Sequence, residues 1–182
     1  MERAIADYAL LADGSSAALV HRSGSIDWWC PARFDAESAF ARLLDERGGS
    51  WTIRPKDALG VTREYVANTM VLQTDFTTAT GTLRLLDALA LPRAEPHRLG
   101  RDIVRRLVRR AECVEGAVDV EVELAPRFDY GREVPSFDDA EPALEIRGRA
   151  QRLRLHANRR LRTSAGRAAA EFTLRAGDVA NY

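Results

Sequence analysis

From residue 50 onward, apolar side chains in this 182-residue chain recur mostly at every second position. That period constrains the fold more than any other feature, because it is the repeat of a strand with one buried face. Val118, Val120, Val122 and Leu124 alternate with Asp119, Glu121 and Glu123, giving one dry and one wet side. Residues 51–53 and 61–66 read as strands around a polar loop. Residues 70–78 and 82–91 read as two longer ones, with Gly81 where a bulged hairpin loop favours glycine. A polar connection follows over 92–100. Shorter alternating runs at 144–146, 153–155, 160–162 and 170–175 complete the pattern. Before residue 50, apolar runs at 5–12, 17–21 and 26–30 end at Asp13-Gly14, at a Ser-Gly turn and at Pro31. About a dozen short strands without βαβ spacing indicate an all-β, antiparallel sandwich, a single domain over 1–182.

Two stretches depart from that period. Asp35 is a candidate N-cap, Ala39, Phe40, Leu43 and Leu44 form one apolar stripe, and Gly48-Gly49 is a stop. This predicts one short helix near 36–46. Over 103–112 the apolar residues Ile103, Val104, Leu107, Val108 and Ala111 have helical spacing. Glu115-Gly116-Ala117 nevertheless resembles a hairpin loop leading into the Val118 strand, so the stretch is read as a strand. Arg105 and Arg109 would then face Asp119, Glu121 or Glu123, each pair contributing roughly 0.2–1 kcal/mol.

The chemistry concentrates in residues 24–35. Asp27, Trp28, Trp29, Arg33, Phe34 and Asp35 lie within nine positions, after a Ser-Gly turn. An apolar core has no need of three charges beside two tryptophans. A sugar-facing surface does: aromatic faces stack on pyranose rings, while carboxylate and guanidinium groups bridge hydroxyls. An ion-paired knot, with Arg33 closing on Asp27 or Asp35, is the other reading, and the residues alone leave both open. Alternation puts Asp27 and Trp29 on one side and Trp28 and Cys30 on the other, without saying which tryptophan is core. Arg33 so close to Asp27 would lower its pKa and make it a poor proton donor. A second Arg-Phe-Asp occurs at Arg127-Phe128-Asp129, followed by Tyr130-Gly131; one tripeptide does not make a repeat.

Other functions find little support. Basic and acidic residues balance at 27 each, so no polyanionic partner is demanded, and the arginine pairs have acids nearby; nucleic acid is not expected. No apolar run reaches the roughly 20 residues that span a bilayer. The N-terminus shows no leader pattern, and Cys30 and Cys113 read as small buried hydrophobes, so a cytoplasmic setting is expected. His21, His97 and His156 have no partner at catalytic or ligand spacing, and there is no phosphate loop or nucleophile elbow. No cofactor or metal is expected. No pair of opposed carboxylates is singled out either.

Asp7-Tyr8-Ala9-Leu10-Leu11-Ala12-Asp13, then Ala17-Ala18-Leu19-Val20, then residues 24–35, resemble the opening of bacterial glycoside hydrolase family 15 proteins. That family includes glucoamylases, glucodextranase-like enzymes and bacterial trehalases. Val71-Leu72-Gln73-Thr74-Asp75-Phe76, Gly81-Thr82 and residues 125–131 fit the same amino-terminal domain. Ala36 stands where the family motif suggests serine, and Asp87-Ala88-Leu89 where it suggests an Asp-Phe-Met-like segment. The resemblance implies a large, supersandwich-like β-sandwich followed by a catalytic α/α barrel that carries both glutamic acids of an inverting mechanism. This chain would be the non-catalytic part, with the 27–35 loop on the rim of the sugar site and an α-glucoside or trehalose as the parent's substrate. Without its barrel, such a domain is expected to expose apolar surface and to self-associate. A free-standing carbohydrate-binding module and a purely structural sandwich are the alternatives.

Overall fold

The computed structural model describes residues 4–91 and 105–182. The connection expected over 92–100, His97, the two apolar residues Ile103 and Val104 and the first three residues lie outside them. Fourteen strands follow in order. They are β1 (Tyr8–Ala12), β2 (Ala17–His21), β3 (Ser25–Trp29), β4 (Ser50–Pro55), β5 (Gly60–Tyr65), β6 (Leu72–Thr77) and β7 (Gly81–Ala90). Then come β8 (Arg106–Ala125), β9 (Ser136–Ala140), β10 (Ala143–Arg147), β11 (Arg152–Leu155), β12 (Arg162–Ser164), β13 (Arg167–Arg175) and β14 (Val179–Asn181). Every pairing is antiparallel. The all-β sandwich expected from the alternation is the fold.

One strand is its spine. The 20 residues of β8 run without a break through both halves of the sheet. The first half pairs with β7 on one side and β14 on the other, and the second half with β4 and β13. The hairpin loop expected at Glu115-Gly116-Ala117 does not exist. Thr82 faces Glu115 and Leu83 faces Cys113, which leaves Val114 as an extra residue. The bulge shifts the pleat by one position: Arg109, Ala111 and Cys113 are buried before it, Val118, Val120, Val122 and Leu124 after it. A shift of phase within one strand lets the sheet fold over and close a single core. Gly116 sits in the curve at φ +71°, where an added Cβ would meet the Thr80 carbonyl oxygen at 2.1 Å. Gly116→Ala should therefore cost at least about 2 kcal/mol, backbone strain plus the clash, measurable as a lower urea midpoint.

The two ends of the sheet path, β1 and β5, are joined by side chains rather than by a ladder. Tyr65 Oη donates to the Leu10 carbonyl at 2.8 Å and accepts from the Leu10 N–H at 3.0 Å. Arg63 donates to the carbonyls of Asp7 and Val20. Capping an open edge in this way removes a template for unwanted strand pairing.

Among the described residues near the N-terminus, the only helical turn is a 3-10 turn at Ile5–Asp7. No helix forms over 36–46. Its backbone groups bond elsewhere: Ala39 N–H to Trp29 O, Trp29 N–H to Phe40 O, Leu43 N–H to Asp27 O and Ala41 N–H to Gly48 O. The stretch lies along the side of β3 that β4 leaves open beyond Ile26. Tertiary pairing overrides a weak local preference. Ala39 and Phe40 go into the core, while Leu44 stays 67% exposed, so the expected stripe is split.

Candidate functional site

The six residues singled out in the sequence separate into a buried group and an exposed one. Asp27 belongs to the first. Val20 pairs with Ile26 and Leu19 with Trp28, so Asp27 is the unpaired residue of a bulge in β3. The bulge turns its side chain inward, where it is fully buried. There it accepts from Ser25 Oγ at 2.5 Å and from Tyr8 Oη at 2.8 Å, with the Arg42 guanidinium at 3.7 Å. Its cation is Arg42, not Arg33. Trp29 is also inside, tilted against Phe40 with ring centroids 5.9 Å apart. Neither residue reaches a rim.

Arg33, Phe34 and Asp35 stand out from the surface, and Trp28 is half-buried. Arg33 Nε and Nη2 fork onto the two carboxylate oxygens of Asp35 at 2.9 and 3.1 Å. Asp35 is therefore engaged by Arg33 rather than by a helix N-terminus. An exposed pair of this kind adds at most about 1 kcal/mol to stability, which leaves both groups available to hydroxyls. Phe34 is 66% exposed, and its N–H is fixed on the Ser15 carbonyl at 2.8 Å.

The structure adds Tyr130. Its ring lies 6.0 Å from that of Trp28, and its hydroxyl donates to the Ala36 carbonyl at 3.1 Å. Asp129 and Tyr130 adopt left-handed backbone angles, φ 49° and 57°, which non-glycine residues take at a cost of about 1–3 kcal/mol when surroundings enforce it. Arg127 N–H bonds to Ala39 O at 2.9 Å. The second Arg-Phe-Asp thus packs against the loop carrying the first; the repeated tripeptide was the available signal. The result is an aromatic pair beside a charged fork, a surface suited to a sugar ring and its hydroxyls.

A groove of about 1270 Å³ starts at Trp29 and Arg33. One wall is Trp51, Tyr182 and residues 105–108, and the other is β10, β11 and the turn between them. Tyr182 packs edge-on to Trp51, and burial pushes its phenol up to about 12. Glu145, in the lining, is held below the ordinary carboxylate range by its hydrogen bond from Arg154.

Arg105 and Arg109 do not face the acids of β8's second half. Arg105 bonds to Asp13 at 3.2 Å. Arg109 is fully buried and bidentate on Asp87, and it also donates to the carbonyls of Trp51 and Gly24. Cys30 and Cys113 are free and buried, and burial raises both thiols, which makes them unreactive. Among the described residues, no group of three or more His, Cys, Asp or Glu could hold a metal ion. No helix among them is long and apolar enough to cross a membrane.

Residues 2–162 match the family described as trehalase-like, N-terminal. The chain is 32% identical over 193 residues to a trehalase of Mycolicibacterium smegmatis and 31% identical to one of Mycobacterium tuberculosis. Both comparisons cover 96% of this chain but only 29% and 28% of the relatives. Trehalase 2 of Sulfolobus acidocaldarius is 35% identical over 126 residues. No solved structure matched. The chain spans less than a third of the length of these curated relatives, and it belongs to the family of trehalase-like N-terminal domains.

Proposed function

We propose that this chain acts as the non-catalytic N-terminal domain of an α-glucoside hydrolase of the glucoamylase and trehalase type, in a cytoplasmic setting. It packs on an α/α barrel in the same polypeptide and lends a loop to the rim of that barrel's sugar site. One observation carries the reading: nearly all of the chain aligns with under a third of each mycobacterial trehalase. The rim consists of Trp28, Arg33, Phe34 and Asp35, joined by Tyr130. Asp27 and Trp29 support it from beneath, through the bulge and the bridge to Phe40. A sugar bound there would stack on the aromatic pair and exchange hydrogen bonds with the Arg33–Asp35 fork.

The exposed Phe34 and half-buried Trp28 also suit a carbohydrate-binding module that works alone. Titrating the 182-residue protein with trehalose and malto-oligosaccharides, while following tryptophan fluorescence, separates the two. A rim that needs its barrel gives little or no saturable change below millimolar sugar, whereas a free-standing module saturates. In the full-length parent, the Arg33→Ala change should lower turnover by about tenfold or more and leave the unfolding midpoint nearly unchanged. Equal turnover in that variant would remove Arg33 from the rim.

A further inference from the structure

We infer that the outer face of β1 and β2, centred on Leu10 and Leu19, is the surface on which the rest of a longer polypeptide docks. The inference rests on the reading that an α/α barrel belongs to the same chain, and it adds the face which that barrel covers. The register draws this face. Leu10 is directly opposite Leu19, and Leu19 is directly opposite Trp28. Opposed residues of antiparallel neighbours stand on one side of the sheet with Cβ atoms about 5 Å apart, so the three form a row across β1, β2 and β3. Ala9, Leu11, Ala18 and Val20 alternate with them and go to the core. An aromatic ring extends the row at each end. Tyr65 holds both backbone groups of Leu10 through its hydroxyl, and the Tyr130 ring lies 6.0 Å from that of Trp28. The row is open to solvent: Tyr65 is 43% exposed, Leu10 46% and Tyr130 40%, with Leu19 and Trp28 half-buried.

Farther along the same sheet the outer face is charged. On β4, β8 and β13 it carries Arg54 with Glu121, Lys56 with Glu171 and Arg167 with Glu123. β1 and β2 contain no Asp, Glu, Lys or Arg, and the next pair in register, Ala12 and Ala17, is small and apolar. A contiguous exposed apolar patch beside polar surface marks an interaction site. Few charges, with Tyr and Trp among apolar side chains, is the composition of an interface centre. Sugar does not suit it, because leucine and alanine side chains offer its hydroxyls no hydrogen bond. Two observations choose the occupant. The stretch aligned with this chain is 29% of the Mycolicibacterium smegmatis trehalase, and the family's N-terminal description puts most of the remainder after it. A much longer stretch is therefore tethered to this domain in that relative, and tethering favours a partner in the same polypeptide over a second copy. The row also runs into the proposed rim at Trp28, so a barrel that takes its loop from the rim already stands over that end.

The experiment reads one introduced cysteine at a time with a maleimide, since Cys30 and Cys113 are buried. Leu10→Cys reports the face. Leu59→Cys, at a position 74% exposed between β4 and β5, is the control. In the 182-residue protein both should label freely. In the full-length parent, without sugar, Leu10→Cys should label at least about tenfold more slowly and Leu59→Cys at an unchanged rate. Adding Leu19→Asp to Leu10→Cys in the parent should restore fast labelling, because a charge then sits at the centre of the contact. If Leu19→Asp does not fold, the single-cysteine rates decide alone. Equal rates at Leu10→Cys in the two proteins would overturn the proposal. Protection of Leu59→Cys in place of Leu10→Cys would also overturn it, while leaving the barrel reading intact. Fast labelling at both positions, with independent unfolding of the two parts, would remove the barrel contact itself. Slow labelling of Leu10→Cys in the 182-residue protein would contradict the proposal as well. A rate that falls with protein concentration would assign the face to a second copy, and a constant one to this chain's own residues.

Discussion

Replacing Arg109 with leucine should lower the stability of this protein by about 3–5 kcal/mol, more than any surface change. The guanidinium has no exposed surface, and it satisfies four acceptors at once: both oxygens of Asp87 at 2.8 and 3.2 Å, Trp51 O at 2.6 Å and Gly24 O at 2.7 Å. It also lies 5.2 Å from the centre of the Trp51 ring. Removing it strands a fully buried carboxylate and leaves two carbonyls without these donors. An uncompensated buried charge is the dominant cost, and each unpaired polar group adds about 1–3 kcal/mol. Folded domains of this size hold only about 5–15 kcal/mol in total. Pairing Arg109→Leu with Asp87→Leu should recover part of the loss, because no lone charge remains, though the two carbonyls still lack their donor. Urea unfolding of the two single variants and the double variant gives the coupling directly. A loss below about 1 kcal/mol in Arg109→Leu would mean that water or another group replaces the guanidinium.

Arg109 also shows where the sequence could be read and where it could not. Most strands from Ser50 onward were legible because burial on one face imposes a strict period of two; β9 and β14, in polar stretches, were not. The same rule failed over the start of β8 for a specific reason. Its inward face carries Arg109, a charge at a core position, while Val108 points out and is 42% exposed. An arginine inside and a valine outside reproduce helical spacing on a strand. The bulge at Val114 then reverses the phase, which makes a continuous strand look like two strands and a loop. The helix expected over 36–46 failed differently. Its capping and apolar signals are real, but β3 offered free backbone groups, and the stretch bonded to those instead. Local preference of this size, a few tenths of a kcal/mol per residue, yields to a ladder.

The site was half legible. Clustering of Trp28, Trp29, Arg33, Phe34 and Asp35 marked the loop proposed as the rim, and the Arg33–Asp35 pairing was one of the two readings it allowed. Alternation set Asp27 on the side of Trp29, and both are buried; it was the charged cluster that suggested a surface place for Asp27, whereas the bulge at that residue holds it in the core beside Tyr8 and Arg42. Tyr130 lies about a hundred residues away in sequence, and only the repeated Arg-Phe-Asp hinted at it. No local pattern announces that two such loops meet.

The second large effect expected is a loss of chemistry rather than of stability: residues 1–182 alone should cleave no glycoside. An inverting site needs an acid and a base roughly 6.5–9.5 Å apart across the sugar, one of them with a raised pKa. The carboxylates near the rim and groove do not meet that description. Asp35 is forked by Arg33, and Asp27 is fully buried under hydroxyls. Asp87 is closed off by Arg109. Glu145 is held below its ordinary range by Arg154 first and by neighbouring arginines after it, the wrong direction for a proton donor. Glu121 and Glu123 pair with Arg54 and Arg167 on the wet face of β8. The most direct test of the central claim is glucose release by the purified 182-residue protein from trehalose and from maltose, over days and at high enzyme concentration. The account predicts no release above the buffer blank. Steady turnover that Asp27→Asn or Glu145→Gln abolishes, with the fold intact, would contradict it.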